Sequence, residues 1–420
     1  MRQCSVPRLD LEQLSSDAGA KLLRTLGVKG GTASDEFSGH CPALTLLGSY
    51  LTDAYNGDIH FRKEVSARLA HDVRQGTHAG KVMESYQSWF GESPELSVLR
   101  MLGLFDRPAD EKALEALLKP PVIYGLTESL TYLGPSDWRT ILARLIRAKL
   151  LAGEDPHNPG HVDTHPLVRE YFGEQLRIQQ TDAWKECNRR LYHYYRTLAP
   201  QLPNSFREME SLFSAVIYGC NAGLFREALN EVYIPRIQRG NDSFAAKVLG
   251  ATGPLLSVLV HFFEHRHWGS FAETAVEGQS LTAEDQLYVL MQAAAYLTAR
   301  ELASPEARIC YERAEPLCHS LGRPLLLHVT LLGRWRYTLF TDKVPATMQV
   351  AERVYSLAQE LDEPYANDLG RRRFGMHALL FGRFRGLRTI CDAWCADLAL
   401  RGRPVSSRRR RYASRRLFVV

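Results

Sequence analysis

The segment VDTHPLVREYF, residues 162–172, places a single imidazole at the start of an amphipathic stretch. A helix begins with backbone N–H groups that lack partners and with the positive end of its dipole, so its first turn favours an anion. His165 therefore has two readings: a side chain that caps or packs against its own helix, or a ring aimed at a bound phosphate. A second set of chemistry-bearing residues is basic. Arg139, Arg144, Arg147 and Lys149 recur along SDWRTILARLIRAKLL, residues 136–151. On a helix presented to DNA they would reach phosphates and base edges in the major groove. His261 and His265 stand four apart, the spacing of a helical zinc pair. No Glu directly follows His261, so the string is not H-E-x-x-H, and no third ligand is evident, so no metal site is expected. The four arginines at 408–411 could hold RNA or an acidic surface, with a solvated tail as the plainer reading.

Motifs that would make the chain an enzyme are missing from its sequence. No G-x-x-x-x-G-K-[ST] occurs. The nearest string, GTHAGKV at 76–82, is one residue short and lacks the hydroxyl residue that would hold Mg²⁺. No apolar strand ending in acidic residues suggests a second phosphate-site element. A G-x-S-x-G elbow is also missing, and GPSDW at 134–138 reads as a helix cap. Neither ATP hydrolysis nor acyl transfer is expected, and no cofactor.

The 420 residues suffice for two to three domains, and 45% hydrophobic with 24% charged residues is ordinary for a soluble globular chain. The longest apolar run, around 255–263, is too short to span a bilayer, and MRQCSVPRLDLEQL lacks a signal-peptide core. A cytoplasmic location without membrane contact is the expectation. Eight cysteines (4, 41, 187, 220, 310, 318, 391, 395) show neither CxxC pairs nor zinc spacing and read as reduced thiols in helix packing. The net charge of +5 is local. Residues 371–420 hold 14 Arg with only Asp392 and Asp397 as acids, leaving 38 basic and 45 acidic residues in 1–370, about −7. A case for nucleic-acid binding from overall charge would rest on that tail alone.

The elements that must position these residues are nearly all helical. Ser15-Ser16-Asp17 signals a helix start, with Leu22, Leu23 and Leu26 following, and 27–31 breaks it. A second helix spans about 43–55, with Leu44, Leu47, Leu51 and Ala54 on one face. Short helices over 82–90, 95–104 and 110–118 precede the amphipathic 136–151, whose buried side would carry Trp138, Leu142, Leu145 and Ile146. LLAGED and HVDTH are then extended candidates around the turn at 156–160. Three helices followed by a hairpin is the order of a winged helix. Beyond 180 the chain reads as paired helices, with a tight turn at 221–229. Segments 304–324 and 344–364 superpose at an offset of 40, matching Pro305/Pro345, Glu312/Glu352, Arg313/Arg353, Leu317/Leu357, Leu321/Leu361 and Pro324/Pro364. Such a repeat predicts a solenoid. At the next offset the two leucine positions become Asp397 and Arg401, so the packed array is expected to stop near 365–385.

Together these features resemble the regulatory half of the STAND signalling ATPases, relatives of the NB-ARC proteins that often carry tetratricopeptide-like repeats. LEQLSSDAGAKLL and GHCPALTLLGSYL look like the family's helical subdomain and its G-L-P-L-A-L-type element, matched by Gly39, Ala43, Leu44, Leu47 and Gly48. The proline that lies under the nucleotide in the family is Cys41 here, with Pro42 one place later. Residues 82–178 resemble the family's winged helix, and Thr164-His165-Pro166 stands at its M-H-D-type element, keeping only the histidine. The resemblance implies that His165 and Pro42 would contact ADP in a relative with a complete nucleotide-binding domain. Residues 180–364 resemble the sensor, so the likeness covers roughly 1–365. The chain begins where such a nucleotide-binding sheet would already have ended, and its Arg-rich end has the look of a shifted reading frame.

The sequence thus predicts a mostly α protein with one small β-hairpin. Its parts are an incomplete helical subdomain (1–80), a winged helix (81–178), a tetratricopeptide-like solenoid (179–365) and an Arg-rich tail (366–420). The expected role is non-catalytic: partner sensing through the repeats for a signal-transduction ATPase, with a protein or peptide as partner. ADP or ATP would be a ligand of an intact relative only. A winged-helix DNA-binding regulator, and a truncated product without independent function, are the alternatives.

Overall fold

The computed structural model describes residues 13–30, 37–62, 65, 78–341 and 344–361, and among these it is helical without a single strand. The chain divides into two compact units, Met1–Leu191 and Tyr192–Val420.

In the first unit, α1 (Ser16–Thr25) is capped by Ser15, whose Oγ accepts from Ala18 N at 3.3 Å, and it buries Gly19, Ala20 and Leu23. Its neighbour α2 (Cys41–Tyr55) carries Pro42 in its first turn, where no N–H is missed, and buries nearly every residue from Ala43 to Leu51. Gly48 admits Leu26, since a Cβ there would lie 2.7 Å from Leu26 Cδ1. α3 (His78–Phe90) packs on α2. The Tyr86 hydroxyl, fully buried, lies 3.3 Å from Leu46 O and 2.9 Å from Ala148 O, so it ties α3 to α2 and to the end of a later helix. Burial pushes its pKa well above the ordinary phenol value, and the hydroxyl stays a donor.

α4 (Pro94–Leu102) crosses α7 (Pro166–Gln179) where two glycines meet. A Cβ on Gly103 would lie 2.3 Å from Gly173 N, and one on Gly173 would lie 2.4 Å from Gly103 O. Between these come α5 (Glu111–Leu118), capped by Asp110, and α6 (Pro135–Arg147). α6 is turned by about one position from the expected face. Ile141 and Leu145 are buried, followed one turn on by Ala148, while Trp138, Leu142 and Ile146 are half-buried. The three inward residues follow i, i+4, i+7, the tighter of the two stripes available to this sequence.

The hairpin expected from LLAGED and HVDTH does not form strands. What remains is one antiparallel bridge, Ala109 with Val162 (both N–H···O distances 2.9 Å), and Ala152 N donating to Asp163 O at 2.9 Å. After Leu151 the chain runs Ala152-Gly153-Glu154-Asp155, all exposed, so no side chains hold a ladder together. Asp155 instead folds the turn on itself, accepting from His157 N at 2.9 Å and Asn158 Nδ2 at 2.7 Å.

α8 (Thr181–Leu198) contains the boundary between the units. In the second unit, α9 (Phe206–Asn221) ends at the expected turn, where Gly223 takes φ +79°. The chain re-enters at Phe225–Glu227 and continues as a π-helix, Ala228–Gln238, with Pro235 inside it. The wider turn of that helix brings residues five apart together, and Gln238 Nε2 donates to Tyr233 Oη at 3.1 Å. Gln238 also reaches Tyr296 Oη at 3.0 Å. After α10 (Thr252–Leu259), four long helices follow: α11 (Ala283–Arg300), α12 (Pro305–Ser320), α13 (Pro324–Thr341) and α14 (Val344–Glu360). Each packs principally on the next. Gly333 of α13 lies under the Tyr311 ring of α12, at a spot where a Cβ would overlap the ring.

The 40-residue repeat coincides with α12 and α14, but its core lies beside the matching letters. The buried positions are Ala307/Thr347, Cys310/Val350, Tyr311/Ala351, Ala314/Val354 and Cys318/Ala358. Leu317, Leu321, Leu357 and Leu361 are half-buried, which removes the ground for calling those positions core leucines. Asp397, Arg401 and the rest of the Arg-rich segment lie outside the described residues.

Because backbone rather than a flexible side chain blocks a Cβ at the α4–α7 crossing, Gly103→Ala or Gly173→Ala is expected to cost about 2–3 kcal/mol. Gly153→Ala, with nothing within 4 Å of the added atom, serves as the near-neutral control. Urea unfolding midpoints of the three variants check this.

Candidate functional site

The loop between α6 and α7 sets the position of His165. Lys149 takes a left-handed φ of +58°, which turns the chain out of α6 so that Leu150 N and Leu151 N return to Leu145 O. Buried Thr164 donates its hydroxyl to Leu150 O, and the Asp163 carboxylate accepts from Thr164 N at 2.7 Å and from the Arg169 guanidinium. These contacts fix the step into α7. His165 is its N-cap: Nδ1 accepts from Leu167 N at 3.2 Å, and the His165 carbonyl accepts from Val168 N at 2.8 Å. An accepting Nδ1 puts the proton of the neutral ring on Nε2. The ring is exposed, so Nε2–H is available as a donor to an incoming acceptor.

A parallel device at α2 was not singled out in the sequence. His40 caps α2 with Nδ1, which accepts from Ala43 N at 3.3 Å. The signal was present as His40-Cys41-Pro42, a histidine closely followed by proline, as in His165-Pro166. Pro42 is half-buried in the first turn of α2, and Cys41 beside it is exposed. The two capped helices α2 and α7 both pack on α3. The Tyr171 hydroxyl of α7 lies 3.3 Å from Gln87 Oε1 of α3.

The four basic residues divide by role. Arg144 lies over the rings of Trp89 and Phe90, its Cζ 5.2 and 5.5 Å from their centroids, and its Nη1 is 2.7 Å from Glu95 Oε1. Arg139 donates to the Pro135 carbonyl of its own helix at 3.1 Å. Arg147 lies within electrostatic range of Asp53, whose carboxyl is raised by burial and lowered in part by Arg147 and Arg144. Lys149 is exposed. Glu95 and Trp89, which bind Arg144, had no signal in the sequence because they come from other helices.

In the second unit the repeat helices carry an ion-pair bridge. Glu315 of α12 accepts from Arg334 of α13 and from Arg353 Nη2 of α14, the latter at 2.6 Å. Burial acts against the Glu315 carboxylate, but the two guanidiniums outweigh it and hold its pKa below the usual value. A shallow depression beside this bridge is lined by Arg308, Glu312, Arg334, Tyr337 and Thr338.

His261 and His265 do not share a helical face. His261 sits in the one-turn helix Val260–Phe262 with Nδ1 2.9 Å from Ser257 O, and His265 takes φ +51°, which breaks the helix between them. Among the described residues no group of three or more His, Cys, Asp or Glu side chains could hold a metal ion.

No family model matches the chain, and no curated protein matches it. Among solved structures it is similar to a Signal Transduction ATPase with Numerous Domains (STAND) protein with a tetratricopeptide repeat sensor from Pyrococcus horikoshii, at 12% identity and a TM-score of 0.37. The similarity spans 93% of this chain and 55% of that one, so the chain corresponds to about half of that protein's length.

Burial lowers the His261 pKa to about 4, with Arg266 adding to the effect. A histidine whose folded pKa lies below its unfolded value of about 6.5 binds protons better when unfolded. Its contribution to stability is therefore present above pH 6.5 or so and is lost as pH falls towards 4. The expected outcome is that His261→Gln flattens the fall in unfolding midpoint between pH 7 and pH 4.5 relative to wild type, measured by urea titration.

Proposed function

We propose that the chain is a non-catalytic regulatory and protein-interaction module of a STAND-type signal-transduction ATPase, receiving a protein or peptide partner on its helical repeats. The observation that carries this reading is the α11–α14 array, in which each helix packs principally on the next and equivalent positions of α12 and α14 are buried 40 residues apart. An array of this kind has a core only between neighbours and presents a continuous outer surface, which is how repeat proteins bind extended partners. The first unit supports the same reading. Its order is helix, single bridge residue, two helices, turn, bridge residue, helix, and we read it as a reduced winged helix in which Ala109 and Val162 mark the strand positions.

In an intact relative with a nucleotide-binding domain, the exposed Nε2–H of His165 would donate to a phosphate of ADP and hold the resting state, with Pro42 beside the nucleotide. Partner binding on the repeats would shift that equilibrium. In this chain no ATP hydrolysis is proposed. No helix among the described residues is long and apolar enough to cross a membrane. A cytoplasmic location is part of the proposal. The DNA-binding alternative is weakened because in this structure Arg144 pairs with Glu95 and lies over two rings, and Arg139 is turned back to its own helix.

A photo-crosslinking residue at Tyr337 tests the proposal in cells. The expected result is a discrete set of protein adducts, lost when Arg308 and Arg334 are both changed to Glu. Salt-sensitive binding to duplex DNA, abolished by changing Arg139 and Arg147 and accompanied by no protein adducts, would overturn it in favour of the DNA reading.

A further inference from the structure

The contact between Arg144 and its surroundings is built asymmetrically. Glu95 belongs to the wall: its side chain is 8% exposed, in the first turn of α4. Trp89 and Phe90 form a common slab, their centroids 5.1 Å apart and their planes 29° apart, and Tyr50 and Tyr86 buttress them from α2 and α3. Arg144 comes from outside. Its side chain is 46% exposed and hangs from α6, whose buried residues are Ile141 and Leu145. The rings are thus held by contacts that do not involve Arg144, whereas the Glu95 carboxylate is paired with Arg144 itself.

A flat pair of aromatic faces beside a buried carboxylate selects a planar cation that can stack and donate at once, which is the chemistry of guanidinium rather than ammonium. The resident cation is replaceable one for one. A second arginine reaching the same place would restore the same charge-assisted hydrogen bond and the same ring contacts, so the exchange leaves no buried charge unpaired. Arg144, half-exposed, would return to water. We propose that Trp89, Phe90 and Glu95 form a receptor for an arginine side chain of a partner protein, and that Arg144 occupies it in cis until a partner displaces it. Displacement frees Arg144 on the surface of α6, one turn from Arg147. This site lies in the first unit and stands independently of the repeat-binding proposal.

The test follows the Trp89 indole N–H by NMR in the full chain, assigned with Trp89→Phe, during titration with N-acetyl-arginine amide and, separately, N-acetyl-lysine amide. Arg144→Gln empties the site. The expected result is a saturable Trp89 shift in that variant, several-fold weaker with the lysine compound and lost in Arg144→Gln/Glu95→Gln. Wild type should show the same shift at tenfold or more higher arginine-amide concentration. If the glutamine variant melts below the working temperature, Arg144→Lys, whose ammonium is the weaker resident for this site, is used, with the arginine compound expected to saturate it at a concentration below that needed for wild type. A folded variant without a saturable shift would overturn the proposal. So would a wild type that stays silent at a hundred times the concentration that half-saturates the variant, since Arg144 would then be a permanent structural pin.

Discussion

A helix can bury its apolar face only as far as its backbone reaches its neighbour's, and in both units that reach depends on glycine. Gly103 and Gly173 let α4 and α7 touch backbone to backbone, which fixes the direction in which α7, and therefore His165, leaves the loop. Gly48 seats Leu26 against α2, and Gly333 accepts the Tyr311 ring. In each case the space for a side chain is already filled, so interhelical distance is set by sterics before any polar contact is made. The caps and ion pairs decorate a frame whose spacing the glycines determine.

Arginine then does much of the polar work at the surfaces of that frame. Arg190 donates to the carbonyls of Leu117, Lys119 and Pro121 and holds the segment after α5. Arg236 donates to the carbonyls of Arg196, Ala199, Pro200 and Gln201, closing the end of α8 where helix carbonyls lack partners. Arg239 holds Pro203 O at 2.6 Å and lies over the Phe244 ring. Guanidinium suits this task because its fork can satisfy several acceptors with one charge. Arginines in the described units are therefore largely spent on the chain's own carbonyls and carboxylates. Their number says little about affinity for nucleic acid.

What was legible in the sequence followed from periodicity and capping. Ser15, the helix at α2, the break at Gly223 and the 40-residue offset all rest on local rules, and each lies where those rules put it. What was not legible depended on neighbours distant in sequence. Identical letters in the repeat, such as Leu317 and Leu357, drew the eye to half-buried flanks, while the true core pairs tyrosine with alanine and cysteine with valine. A solenoid core conserves volume summed over facing helices rather than letters at one position, so Tyr311 against Gly333 is invisible to a self-comparison. The hairpin failed because alternation was too short to choose strand over turn. Of the candidate site residues, His165 stands at the predicted helix start, but nothing in the letters said that Arg144 would be bound by Glu95 rather than free.

The one-dimensional packing of α11–α14 also determines how order is distributed along the second unit. A helix that touches mainly its two neighbours draws its stability from those two interfaces, so its resistance to local opening depends on theirs. The Glu315 bridge, joining three successive helices through one carboxylate, couples the opening of α14 to that of α13 and α12. Loosening any one of the three helices therefore removes a charge-assisted hydrogen bond that the other two share, so the three open together more readily than singly.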